Sequence, residues 1–139
     1  MSRTASEIQG DVYDLLRKSD LAQGLSGSVY RRGYRPRDSR LEDAEVIFTT
    51  GTPGEIESGV VTINIYCPDI DPYNNGVMVE NGQRISEIEK AADNWVKTLV
   101  ASRSNYLFSL KQTIHSVADR EVKQHFVVIR LYYRYYNGR

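Results

Sequence analysis

The run HFVVIRLYYRYYNGR, from His125 to Arg139, constrains the chain more than any other stretch. It is dense in Val, Ile, Phe and Tyr, which fit a pleated, half-buried surface, so it reads as a strand over about residues 124–136. Side chains alternate across a strand. Val127, Ile129, Leu131, Tyr133 and Tyr135 therefore share one face, and Phe126, Val128, Arg130, Tyr132, Arg134 and Tyr136 share the other. A strand buried on one side needs only one bulky face. The second can be a further packing surface covered by arginine stems, a protein contact, or a platform on which bases stack. Tyr and Arg are the residues enriched at protein interfaces, which favours the protein contact. The whole chain leans the same way, with ten Tyr against one Trp and three Phe.

The remaining elements follow from periodicity. Thr4 and Glu7 have capping-box spacing ahead of an apolar stripe of Ile8, Val12, Leu15 and Leu16, which predicts a helix over 5–18. A short strand is expected at about 28–31. Strands at about 45–51 and 58–67 flank the turn GTPGE as a hairpin, with Val61, Ile63, Ile65 and Cys67 on its core face. Residues 68–84 read as a polar loop, with a type I′ turn at Asn75-Gly76 and a second turn at Asn81-Gly82. Ile88, Ala91, Ala92, Trp95, Val96 and Leu99 place a helix over 85–101. Tyr106, Phe108, Leu110 and Ile114 alternate within a strand at about 106–117, and ADREVK is a charged turn. The 139 residues make one domain, 1–139, able to bury a core without staples. The expected fold is α+β, a mainly antiparallel β-sheet with two α-helices packed on one face.

Few residues point to bond-making chemistry. His115 and His125 lie ten residues apart with no carboxylate or cysteine beside them in the sequence, so they read as ordinary strand histidines. Cys67 alone can form neither an intrachain disulfide nor a zinc site and reads as a small buried hydrophobe. Asp69 and Asp71 resemble the start of a calcium loop, but Asn74 stands where its glycine belongs and Tyr73 where an oxygen ligand belongs. GTPGE lacks the Lys-Ser/Thr and the helix of a phosphate loop. The expectation is a chain that is not an enzyme, with no cofactor and no metal. FVVI is the longest purely apolar run, too short to span a bilayer, and the first residues lack the apolar core of a signal peptide, so the expected compartment is the cytoplasm.

A second feature stands beside the last strand. Arg31, Arg32, Arg35, Arg37 and Arg40 crowd one loop. Such a loop can meet phosphates or an acidic protein surface. It can equally be a solvated loop whose charges are balanced by Asp38, Glu42 and Asp43. The 18 basic and 18 acidic residues cancel, whereas a general nucleic-acid coat is basic overall. A nucleic-acid-binding module using the Arg31–Arg40 loop and the C-terminal Tyr/Arg strand is the alternative to a protein-docking role.

The layout resembles that of the tail completion, or tail terminator, proteins of phages and prophages. The likeness runs through the opening helix EIQGDVYDLLRKSDLAQGLSGSVY, the loop RRGYRPRDSR, the hairpin EVIFTTGTPGEIESGVVTINIYCPD, the helix ISEIEKAADNWVKTL and the closing strands. It covers nearly the whole chain and rests on order and pattern. The resemblance implies a structural protein without catalysis that assembles as a ring, commonly a hexamer, capping the tail tube and joining it to the head–tail connector. Its partners would be copies of itself, tail tube and connector proteins, and DNA passing through the lumen, with no membrane. It would be cytoplasmic during assembly and part of the virion's tail or neck afterwards.

Overall fold

A computed structural model describes residues 2–102, 104–119 and 121–137; Arg120 of the expected charged turn lies outside them. Helix α1 spans Ala5–Arg17. Thr4 Oγ1 accepts from the Glu7 amide at 3.3 Å and Glu7 Oε1 accepts from the Thr4 amide at 3.0 Å, so the capping box forms as read. Ile8, Val12 and Leu16 are buried. Leu15, expected in the same stripe, is 39% exposed and lies on the rim of a groove facing the later helix.

A third helix, α2 at Asp20–Gln23, was not expected. Ser19 starts it, its hydroxyl accepting from the Ala22 amide at 3.1 Å, so one helical pattern becomes two with a capping serine between them. Helix α3 runs Gly82–Ala101, beginning before residue 85. Asn81-Gly82 is its start rather than a turn, because Asn81 Oδ1 accepts from the Arg84 amide at 3.3 Å.

The six strands are β1 (Val29–Arg31), β2 (Ala44–Thr52), β3 (Ile56–Pro68), β4 (Tyr106–Leu110), β5 (His115–Asp119) and β6 (Gln124–Tyr136). The order across the sheet is β1-β2-β3-β6-β4, with β5 also on β6. β1 and β2 are parallel; β2 with β3, β3 with β6, β4 with β6 and β5 with β6 are antiparallel. The fold is therefore α+β with a mostly antiparallel sheet. β3 and β6 pair along their whole length, from Ile56 opposite Tyr136 to Pro68 opposite Gln124.

The single strand expected at 106–117 is two. Leu110 pairs with Leu131 and His115 with Val128. The four residues 111–114 thus face two residues of β6, and the surplus loops out.

Helices α1, α2 and α3 lie against one face of the sheet. Ile8, Val12, Leu16, Leu21, Ile85, Ile88, Ala92, Trp95, Val96 and Leu99 pack there with Val46, Val61, Ile63, Ile65, Cys67, Val127, Ile129, Leu131 and Tyr133. Tyr133 is 1% exposed. Its hydroxyl reaches Gly51 and Gly59, which pair across β2 and β3, so the absence of two side chains makes room for this ring. At the β2 bulge, Gln9 Oε1 takes up the Phe48 amide at 2.9 Å.

The N-terminal residues are tied to the sheet by polar contacts. Arg3 donates to Asp11 at 2.5 Å and Tyr106 donates to the same carboxylate oxygen at 2.6 Å. Burial first, then Asp11, pushes the Tyr106 hydroxyl well above its ordinary titration range. Glu57, 2% exposed, accepts from the Arg3 amide and from Asn137.

The loop of residues 69–80 is closed by the Ile70–Val79 bridge. Its turn is not type I′: Asn74 and Gly76 have positive φ, at 53° and 82°, but Asn75 between them does not. Asp71 holds it instead, accepting from the Asn75 amide at 3.1 Å and from Gly76 at 2.8 Å. Both oxygens that a calcium loop would aim at its ion are turned onto the backbone.

Candidate interaction surface

Among the described residues no helix covers the second face of the sheet. Cross-strand register places Glu45, Ile47, Val60, Thr62, Asn64, Tyr66, Leu107, Phe126, Val128, Arg130, Tyr132, Arg134 and Tyr136 on it. Val60, Thr62 and Val128 are buried there all the same. Their cover comes from long neighbours on the same face: Tyr132 stands opposite Val60 and Arg130 opposite Thr62. Arg130 and Arg134 are exposed and Tyr132 and Tyr136 half-buried. Lys111 lies 5.4 Å over the Tyr132 ring and Arg134 lies 5.8 Å over the Tyr136 ring. Leu107 and Ile56 add exposed apolar area, at 49% and 46%. This end of the sheet therefore offers aromatic and aliphatic surface rimmed by cations. The opposite face of β6 belongs to the core, so of the uses open to the second face, the structure leaves a thin self-covered layer at the centre and an open Tyr/Arg end.

The arginine loop borders the same face at its far end. From Phe126 to Arg134 is about 26 Å along the strand, so the loop and the Tyr/Arg end are not one patch. Within the loop the five arginines divide. Arg31 lies 4.8 Å over the Tyr13 ring of α1. Arg35 is a structural plug: its side chain is 10% exposed, its Nε donates to Asp43 Oδ2 at 3.0 Å, and its guanidinium stacks 3.8 Å from the Tyr66 ring centroid. Burial first, then the nearby Glu45, pushes the Tyr66 hydroxyl up to about 12. Asp43, fully buried, also accepts from the Ser28 amide at 2.9 Å and from Ser39 Oγ at 2.5 Å.

Two of the carboxylates expected to balance the loop are committed. Asp43 takes Arg35, while Glu42 takes Arg84 of α3 at 2.7 and 2.8 Å. Among the described residues, Arg32, Arg37 and Arg40 have no carboxylate within ion-pair distance.

Arg84 holds the Glu42 carboxyl below its ordinary range. A carboxylate lowered in the folded state contributes stability above its unfolded value and loses it as pH falls through its folded value. The stability gap between wild type and Glu42→Gln is therefore expected to be full at neutral pH and to close below about pH 4. Urea titrations from pH 3 to 7 read this directly, and a gap independent of pH would count against the ion pair.

His125 does have carboxylate neighbours, contrary to the expectation from sequence. Its Nδ1 lies 2.7 Å from Asp69 Oδ1 and its Nε2 3.7 Å from Glu80, which also accepts from Ser116 Oγ at 2.8 Å. Residues distant in sequence meet here because the 69–80 loop folds back beside β5 and β6. Among the described residues no group of three or more His, Cys, Asp and Glu side chains is placed to hold a metal. Cys67 is buried and its thiol is pushed up to about 11, by burial first, which suppresses the reactive thiolate. An open groove of about 650 Å³ lies between the α1–α2 turn and α3 and includes Leu15, Lys18, Asp20, Trp95 and Leu99. No helix among the described residues is long and apolar enough to cross a membrane. No family model matches the chain, and no curated protein matches it.

Proposed function

We propose that the protein is a non-enzymatic structural component of a phage or prophage virion. It completes the tail end or head–tail junction by ring-type self-assembly and by docking onto tail tube and connector proteins. The observation that carries this reading is the sheet face that no helix of the described residues covers, whose open end bears Arg130, Tyr132, Arg134 and Tyr136 while α1, α2 and α3 lie on the opposite side. A closed ring needs a heterologous interface, that is, two different surfaces on each subunit. A two-layer domain with one helical and one bare face supplies two surfaces of different chemistry. Tyr and Arg are residues enriched at interfaces, and a permanent contact buries about 1,200 Å² or more. In this reading the chain acts in the cytoplasm during assembly and in the virion thereafter.

The test is the double variant Tyr132→Ser/Arg134→Ser. Both side chains lie on the bare face, so folding, followed by circular dichroism and thermal melting, is expected to persist. Loss of the central aromatic and cationic anchors typically costs 2 kcal/mol or more at an interface. The dissociation constant of the assembly, read by native mass spectrometry and sedimentation, is thus expected to rise at least about thirtyfold. A wild-type chain that stays monomeric at high concentration and ignores tail tube and connector subunits would remove the reading. A double variant that unfolds would assign this face to the core.

A further inference from the structure

The arginine loop is better ordered than its composition suggests. Arg35 and Ser39 are held by buried Asp43. Gly33, at φ 82°, donates to Glu45 at 2.9 Å, and the Arg32 amide bonds to Val46 of β2. Arg32, Arg37 and Arg40 are exposed and lack carboxylate partners among the described residues, Asp38 is the one acidic residue between them, and Tyr34 is 76% exposed. The neighbouring Glu42, Asp43 and Glu45 have their oxygens engaged by Arg84, Arg35, Ser39, Gly33 and Tyr66.

We propose that Arg32, Arg37 and Arg40 form a binding site for the phosphate backbone of duplex DNA. Guanidinium groups bind phosphate through paired N–H donors, and the Tyr34 hydroxyl is a further donor for a phosphate oxygen. A protein partner would have to match three cations of one loop with as many acids. A duplex carries its phosphates at regular close spacing along each strand. A single strand is a poorer fit, because its binders offer several aromatic platforms and the loop segment from Arg32 to Arg40 carries one aromatic residue, Tyr34. The three groups sit on one chain, so the inference is independent of ring assembly, and failure of either leaves the other standing.

The experiment is fluorescence anisotropy of a labelled 20-base-pair duplex with the wild-type protein in about 20 to 200 mM NaCl. Three phosphate contacts give a slope of about −2.7 in log affinity against log salt, a loss of about 500-fold over that range. Arg32→Ser/Arg37→Ser/Arg40→Ser is expected to melt like wild type and to bring the slope close to zero. Arg37→Gln alone should remove about 0.9 of the slope. Arg130→Ser/Arg134→Ser, at the other end of the sheet, should leave DNA binding unchanged. No binding at the lowest salt overturns the proposal. So does a loss that follows the Arg130/Arg134 pair instead of the loop, or poly-glutamate binding more tightly than the duplex, which would assign the loop to an acidic protein.

Discussion

Asp43→Ala is expected to destabilise the protein by about 3–5 kcal/mol, the cost of leaving one member of a buried ion pair without its partner. The carboxylate is fully buried and serves the Ser28 amide, Arg35 Nε and Ser39 Oγ together. Its removal leaves the Arg35 charge, 10% exposed on its side chain, without its carboxylate and with the neutral acceptors Gln124 Oε1 and the Leu41 carbonyl, and opens the frame of the arginine loop. Against a total stability of about 5–15 kcal/mol, that is a large fraction. Urea unfolding of wild type, Asp43→Ala and Asp43→Asn measures it. Asn keeps an acceptor for Ser28 and should recover part of the loss. A deficit under about 1 kcal/mol for Ala would mean that Arg35 finds water easily and that the plug is incidental.

Gly59→Ala should cost at least about 3 kcal/mol, beyond the ordinary range for overpacking, because the obstacle is backbone. A β-carbon at Gly59 would collide with the Thr50 carbonyl oxygen, lie 2.6 Å from Gly51 Cα and 2.8 Å from the Tyr133 hydroxyl. Tyr133 can turn away only by leaving the core, and the two strands can part only by breaking their ladder. Gly82→Ala is the control: nothing lies within 4 Å of its added carbon, it opens α3, and alanine there should be neutral or stabilise by up to about 1 kcal/mol. Thermal melts of the two variants should move in opposite directions or by very different amounts. Equal shifts would show that β2 and β3 yield at this point.

What the sequence made legible was local. The capping box, the stripes of α1 and α3, and the alternation of Val61, Ile63, Ile65 and Cys67 all depend on near neighbours, and each core face is where the periodicity put it except at Leu15, which lies exposed, and Ala91, which is half-buried. Val127, Ile129, Leu131 and Tyr133 are likewise buried and Arg130 and Arg134 exposed. What stayed hidden was set by distant partners. Whether 106–117 is one strand or two depends on how its residues are counted off against β6. Whether Asn81-Gly82 turns the chain or starts a helix depends on what Asn81 Oδ1 accepts. The separation of Arg35 from Arg32, Arg37 and Arg40 needed the position of Asp43, and that of His125 between Asp69 and Glu80 needed the path of the 69–80 loop. No spacing in the chain announces any of these. A closer reading of Ser19 as a helix start after Lys18 would have found α2.

β6 holds β3 on one edge and both β4 and β5 on the other, yet it is the last strand of the sheet in chain order. As a nascent chain leaves the ribosome, the β2–β3 hairpin must wait with β3's inner edge unfilled until more than fifty later residues have appeared. During that interval a β-branched edge is open to other growing chains on the same message. Rapid synthesis at high expression should therefore favour insoluble product, and slowed translation or a lower temperature should return soluble protein without any change of sequence.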